Sequence, residues 1–172
     1  VYAEDPRYEN NHIEALCFLR EAETLYDELP AKSRRKLAKV NMRKTSMAPL
    51  EKKLVKKAIG KLKPSDSILK LDEFLSCAPK LSRAFERELD PVRKAIIEGV
   101  IENSNRYDEW NSLFKNHYQW MVLKNLRFKH SLLENRLLWA FAADRGVENI
   151  QEFISDYPKH SISDDCWIKA FV

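Results

Sequence analysis

Positive charge is concentrated in one stretch of the sequence, KSRRKLAKVNMRK at residues 32–44. Seven of its thirteen residues are lysine or arginine, and none is acidic. Ammonium and guanidinium groups at this density bind phosphate oxygens, because each contact neutralises a phosphate and releases its condensed counterion. The chemistry that the stretch predicts is therefore the binding of a polyanion.

A helical conformation would place most of these bases on one side. At about 100° per residue, five of them fall within an arc of about 100°. Such a stripe repels itself by about 0.2–0.5 kcal/mol per pair, so we expect a partner or neighbouring acidic residues to compensate it. The five are Lys32, Arg35, Lys36, Lys39 and Arg43.

The following stretch, LEKKLVKKAIGKLK at residues 50–63, predicts a helix with two different halves. Its apolar residues fall on one half of the circumference and its lysines on the other. Two successive basic helices predict a cationic face, and nucleic acid is the commonest intracellular polyanion that fits one. The predicted contact residues are Lys32, Arg34, Arg35, Lys36, Lys39, Arg43, Lys44, Lys52, Lys53, Lys56, Lys57 and Lys61.

Two alternatives are open for this face. It is a solvated surface that is partly neutralised by acids of the preceding segment, or it binds another acidic partner such as a protein or anionic lipid. The lysine-rich helix has the two-faced design of membrane-surface helices, but it contains no Trp or Phe to insert, which disfavours lipid. The acids in question are Glu14, Glu21, Asp27 and Glu28.

A second basic patch surrounds Phe128 in LKNLRFKHSLLENR at residues 123–136. Aromatic rings among cations can stack on unpaired nucleotides, at about 1–3 kcal/mol per base. The alternative is that Phe128 only covers the core between two helices. The bases of this secondary patch are Lys124, Arg127, Lys129 and Arg136.

Signatures of catalysis and of metal binding are absent from the sequence. There is no GxSxG, P-loop or GxGxxG motif, and the three glycines are too dispersed to build one. The histidines stand apart, with none in HExxH or beside a cysteine at metal-ligand spacing, and His117 is expected to be a core residue. We therefore expect a non-enzymatic protein with no cofactor and no metal site, although folding could still bring two acids together.

Apolar residues recur at helical spacing through most of the chain. Sustained alternation of apolar and polar residues is not found, so strands are not expected. These patterns predict an all-α fold of about seven to nine helices, with a basic helical part towards the N-terminus. The arrangement would be a helical bundle or an orthogonal multi-helix domain.

Prolines and capping residues set the predicted helix boundaries. Pro30 is expected to end the first helix. Residues 45–49 are predicted to be a break, with Pro49 in the first turn of the following helix. Asp90 and Pro91 predict a helix start, because an acid at the N-cap before a proline is a typical beginning.

The stretch LLENRLLWAFAA at residues 132–143 is apolar on nearly every side, which predicts the central buried helix. Gly146 is expected to end it. Trp110, Trp120 and Trp139 lie in apolar stripes and are predicted to be core residues. Trp167, near the end of the sequence, is instead a candidate interaction residue.

Charge divides the sequence into unequal parts. Residues 1–31 carry eight acids and two bases, a net of −6, while residues 32–63 carry thirteen bases and one acid, a net of +12. The remaining residues carry −2, which completes the net charge of +4. We expect an N-terminal helical part at residues 1–63 and a helical core domain at residues 64–172, with one continuous domain as the alternative.

The cysteines Cys17, Cys77 and Cys166 are odd in number, widely spaced and without a CxxC pair. This usage predicts a reducing compartment, the cytoplasm or the nucleus. No stretch approaches the ~20 apolar residues of a membrane span, and no signal-peptide pattern opens the sequence. The sequence therefore predicts a soluble, intracellular protein.

These observations together predict a non-enzymatic accessory protein that binds DNA or RNA. It would contact the phosphate backbone through its basic helices, with little sequence specificity. The alternative is a helical protein-protein adaptor or oligomeric scaffold, whose oppositely charged surfaces engage partners or neighbouring copies.

Overall fold

A computed structural model describes residues 11–39, 44–126 and 130–157, and for residues 44–46, 130 and 131 it describes the backbone alone. All regular elements in these ranges are helical, and no strand occurs in them. The prediction of an all-α, multi-helix fold is confirmed. Cys166 and Trp167 lie outside the described residues.

Helices follow one another along the chain with short connections. A π-helical turn joins two of them into one longer run, and a 3₁₀ turn precedes the last one. The elements are α1 (His12–Glu28), α2 (Ala31–Lys39), α3 (Lys44–Lys61), α4 (Ile68–Cys77), α5 (Arg83–Asn103), α6 (Tyr107–Ser112), the π-helix (Leu113–His117), α7 (Tyr118–Leu123), α8 (His130–Arg145), the 3₁₀ helix (Val147–Asn149) and α9 (Ile150–Asp156).

Two predicted helix boundaries at prolines are wrong. Helix α3 runs without a break through residues 45–49, and α5 runs through Asp90 and Pro91. A proline inside a helix removes one backbone hydrogen bond and crowds the preceding turn, at a cost of about 3 kcal/mol. In α5 the apolar burial on both sides of Pro91, by Leu89 and Ile96, offsets this cost.

Capping residues mark the ends of several helices. The Asn11 side chain accepts the Glu14 N–H at 3.3 Å before α1. The Ser67 hydroxyl accepts the Leu69 N–H, also at 3.3 Å, at the start of α4. Gly146 ends α8 with a φ of 80°, a left-handed conformation that favours glycine, so this predicted stop is confirmed.

The described residues group into two compact units. The first contains residues up to 66 together with 70–95, and the second contains residues 67–69 together with those from 96 onward, so the division falls inside α5. Compactness does not establish which part folds independently. The expected division into residues 1–63 and 64–172 stays a prediction.

In the first unit, α1 packs against α3. Helix α1 contributes the buried residues Ile13, Leu16 and Leu19, while Ala22 is exposed. A disulfide between Cys17 and Cys77 ties α1 to α4. Helix α3 buries its apolar half, made of Leu54, Val55, Ala58 and Ile59, and Leu62, just beyond its end, is also buried.

Aromatic contacts form the core of the second unit. The ring of Phe141 in α8 meets Tyr107 edge-on at 5.0 Å and lies 5.2 Å from the ring of Phe153 in α9. Tyr157 continues this row, 5.1 Å from Phe153. Such pairs add about 0.5–1.5 kcal/mol each beyond their area burial, so the row holds α6, α8 and α9 together.

Helix α8 is not the wholly buried helix that its composition predicts. It packs on α6 and α9 with Leu137 and Phe141, but Leu132 and Trp139 are 54% and 52% exposed. The prediction that Trp139 is a core residue is therefore wrong. Trp110 is 1% exposed, which confirms it as a core residue, and Trp120 is partly exposed.

The disulfide bears on the predicted compartment. Disulfides persist in oxidising compartments and are rare in the cytosol and nucleus, so the Cys17–Cys77 pairing counts against a reducing environment. Sequence spacing gave no sign of it, because α1 and α4 bring together cysteines that are 60 residues apart. None of the described helices is long and apolar enough to cross a membrane.

Candidate nucleic-acid interface

Helix α2 has no buried residue. Its central apolar side chain, Leu37, is only partly covered, and all of its basic residues are exposed. Four of them lie on one side of the helix, and we call these the α2 basic face: Lys32, Arg35, Lys36 and Lys39. Arg34 is also exposed, but at about 100° per residue it lies on the opposite side.

Helix α3 separates apolar and basic residues as its periodicity predicts. The apolar half is buried against the core of the first unit, and the lysines on the opposite half are exposed. Because the buried half fixes the rotation of the helix, the lysines keep their outward position without contacts of their own. We call these residues the α3 lysine face: Lys52, Lys53, Lys56, Lys57 and Lys61.

Neither basic face is neutralised by an ion pair within the part of the chain that the structure describes. Two acids of α1 make other contacts. Glu23 pairs with Arg20 at 3.0 Å, and Glu14 accepts the side-chain N–H of Asn11 at 2.7 Å. The alternative in which α1 neutralises the lysines through ion pairs therefore finds no support in the described residues.

Asp66 lies just beyond the α3 lysine face and belongs to a local structure of its own. It accepts the backbone N–H of Lys63 at 2.8 Å and the ammonium of Lys70 at 2.9 Å. Burial acts to raise the pKa of Asp66, but these hydrogen bonds outweigh burial and hold the pKa below its ordinary value. This carboxylate therefore stabilises the turn after α3.

Gly60 is a feature of the α3 lysine face that the sequence interpretation missed. At about 100° per residue, it falls between Lys56 and Lys53 near the middle of the face. A methyl group added at Gly60 would meet no atom within 4 Å, so packing within the chain does not require a glycine there. The glycine leaves the backbone bare between the lysines, which permits a close approach by a ligand.

The remaining predicted contact residues are described only in part. Arg43 lies outside the described residues, and Lys44 is the first residue of α3, described by its backbone alone. In the secondary patch, Arg127 and Lys129 also lie outside the described residues, as does Phe128.

The two described members of the secondary patch have different surroundings. The Lys124 ammonium lies 6.0 Å from the centroid of the Trp120 ring, within the range of a weak cation–π contact. Arg136 is exposed on α8, beside the exposed Trp139. The assembly of this patch therefore stays a prediction.

Titratable groups with shifted pKa values lie at packing contacts. Burial lowers the pKa of Arg93 to about 10, although Asp90 and Asp72 favour its charged form. Burial also raises the pKa of Tyr107 to about 12. Neither group exchanges its proton near neutral pH, so these shifts do not indicate an acid or base for catalysis.

Metal-ligating side chains do not gather in the described ranges, where no group of three or more His, Cys, Asp or Glu could hold a metal ion. His117 is fully buried and has a partner, as expected of a core histidine. The expectations of no enzyme, no cofactor and no metal site stay predictions.

The chain matches no protein-family model, no curated protein and no solved structure. Function must therefore be argued from the chain's own residues.

Proposed function

We propose that the chain binds nucleic acid through the phosphate backbone, using the α2 basic face and the α3 lysine face. The observation that carries the proposal is a set of exposed lysines that make no ion pair with any described residue, on a helix whose apolar half is buried in the core. Bases held in this way neutralise phosphates without a prior loss of internal ion pairs. Lysine predominates in both faces and contacts phosphate as a point charge, so we expect the proposed binding to have little sequence specificity.

The α3 lysine face has room for several phosphate contacts. From Lys52 to Lys61 the helix rises by about 14 Å, at about 1.5 Å per residue. A duplex carries one phosphate per about 1.7 Å of its axis, so lysines rather than phosphates limit the number of contacts. Five contacts would give a slope of about −4.5 in a plot of log K against log salt concentration. The affinity would then fall by about 500-fold between ~50 and ~200 mM salt.

The proposal is tested by titrating the chain into labelled single-stranded and duplex DNA and RNA at ~50 mM salt, read by fluorescence anisotropy. We expect binding clearly tighter than about 10⁻⁴ M, with a steep loss as salt increases. The variant Arg35→Glu/Lys39→Glu should bind more weakly. An affinity for every probe no tighter than about 10⁻⁴ M at that salt would contradict the proposal.

A second candidate function is that of an adaptor that joins oppositely charged surfaces of neighbouring chains. It is favoured by the exposure of Glu21 and Glu28 on α1 in the same unit as the α3 lysine face, with no ion pair between the two surfaces. Intermolecular pairing of these surfaces would appear as self-association. Light scattering at low and high salt, without nucleic acid, tests it, since electrostatic association is lost as salt screens the charges.

A further inference from the structure

The exposed side of α8 carries an apolar strip that the phosphate-binding proposal does not use. Leu132 is 54% exposed and Trp139 is 52% exposed, and Arg136 and Ala143 are exposed between and beyond them. At about 100° per residue the four fall within about 60° of the helix circumference. We call them the α8 strip. Large apolar side chains clustered in this way on a surface are typical of an interaction site.

A groove runs beside the α8 strip. Its volume is about 190 Å³, and the opposite wall is formed by Ser104 and Asn105, in the connection between α5 and α6. Two hydrogen bonds hold this wall in place. The Ser104 hydroxyl donates to the Glu109 carboxylate at 2.6 Å, and the backbone carbonyl of Ser104 accepts the indole N–H of Trp110 at 3.0 Å. A ligand would therefore meet a largely preformed site, which reduces the entropy lost on binding.

Charge around the groove selects among ligands. Arg136 lines the groove and makes no ion pair with any described residue. The acids near the end of the groove at Asn105 are already paired with arginines, Asp108 with Arg106 at 2.5 Å and Asp144 with Arg145 at 3.7 Å. A single unpaired arginine offers only one contact to a phosphodiester strand, but it suits a single carboxylate beside an apolar group.

We propose that the α8 strip docks a segment of a partner protein that combines a large apolar side chain with an Asp or Glu. The apolar side chain packs in the groove against Trp139 and Ala143, and the carboxylate pairs with Arg136. Tryptophan and arginine are the residues that most often dominate the energy of protein interfaces. The small groove admits one side chain rather than a drug-sized ligand, whose pockets are about 300–1,000 Å³.

The proposal is tested with the full chain and two sets of synthetic, fluorescein-labelled peptides. Peptides of about 15 residues carry Leu or Phe at positions i, i+4 and i+7, a spacing that presents one apolar helix face. One set has Glu at the remaining exposed positions and the other has Lys. We expect the Glu set to bind at least about 10-fold more tightly, a difference of about 1.4 kcal/mol.

Variants assign the binding to the α8 strip. Trp139→Ala and Arg136→Glu should each weaken binding of the Glu peptides by about 10-fold or more. Leu123→Ala, which removes an apolar side chain that is 79% exposed on α7, is the matched control and should bind as the wild type does. Because Trp139 and Arg136 are exposed, folding of these variants is expected and is checked by circular dichroism.

Acidic peptides can also adhere to lysines, so the same measurements are repeated in the Lys53→Glu/Lys57→Glu background. The proposal requires the dependence on Trp139 to persist there. It is overturned if Trp139→Ala and Arg136→Glu bind the Glu peptides as tightly as Leu123→Ala does. It is also overturned if the strip proves to bind labelled single-stranded oligonucleotides, or to mediate dimerisation, in preference to the peptides.

Discussion

The disulfide between Cys17 and Cys77 should supply a large part of the chain's stability. The two cysteines are 60 residues apart in the sequence. In the chain-entropy description, a cross-link that closes a loop of this length lowers the conformational entropy of the unfolded state by about 14 cal/mol/K. At 25 °C this entropy corresponds to about 4 kcal/mol of stabilisation. Whole proteins are stable by only about 5–15 kcal/mol, so the loss of this cross-link should be easily measured.

The test replaces Cys17 by Ser or Ala, with Cys166→Ser as a control that also removes one thiol. Urea unfolding followed by circular dichroism gives the free energy of unfolding with and without dithiothreitol. We expect the free energy of unfolding of both Cys17 variants to be about 4 kcal/mol lower than that of the oxidised wild type. Dithiothreitol should leave it unchanged in these variants. The free energy of unfolding of Cys166→Ser should fall by a similar amount only when dithiothreitol is present. If Cys17→Ser and Cys17→Ala have the same free energy of unfolding, the loss of stability comes from the missing cross-link and not from burial of the serine hydroxyl.

Two outcomes would refute this reasoning. A Cys17→Ala variant as stable as the oxidised wild type would show that closing the loop contributes little. A Cys17→Ala variant that still loses stability in dithiothreitol would show that Cys77 does not depend on Cys17 for its disulfide.

Two further predictions concern the α3 region. Gly60→Ala should raise the free energy of unfolding by about 1 kcal/mol, because alanine favours the helix and its methyl group meets no other atom there. An unchanged or lower urea midpoint would contradict this. Asp66 has a lowered pKa in the folded state, so its stabilising effect is present above the unfolded pKa of about 3.9 and is lost as the pH falls through the folded value. Urea unfolding across this acidic range should therefore show a smaller loss of stability in Asp66→Asn than in the wild type, whereas identical acid dependence would argue against the hydrogen bonds assigned to Asp66.

Helical periodicity predicted α3 well because burial and periodicity agree there. The apolar residues Leu54, Ala58 and Leu62 recur along one side and are buried, and the lysines occupy the other side. Local propensity also predicted the stop at Gly146, since the left-handed conformation there is a local requirement. Features that depend on neighbouring residues in sequence were thus accessible from the sequence.

Features that depend on tertiary contacts were not accessible in the same way. Pro91 was expected to start a helix, but burial along α5 outweighs the hydrogen bond that this proline removes. The apolar composition of α8 does not reveal which of its sides is covered, and only the fold shows that Trp139 is exposed. The pairing of Cys17 with Cys77 likewise depends on how α1 and α4 meet.

The proposed function and the proposed docking surface belong to different units of the chain. The basic faces lie in the first unit, whereas the α8 strip lies in the second. The dependence of peptide binding on Trp139 should therefore persist in variants of the basic faces. A chain with both activities would bring an acidic partner protein to nucleic acid.

The salt dependence of duplex binding shows whether the α3 lysine face contacts phosphates. Lys53→Glu/Lys57→Glu is compared with Lys80→Glu/Arg87→Glu, which makes the same change in net charge at exposed residues outside both basic faces. If the α3 lysine face contacts phosphates, the first variant should reduce the magnitude of the slope of log K against log salt by about 2, while the second keeps the wild-type slope. Equal slopes for the two variants would contradict the account, because binding would then follow net charge rather than the lysines of α3.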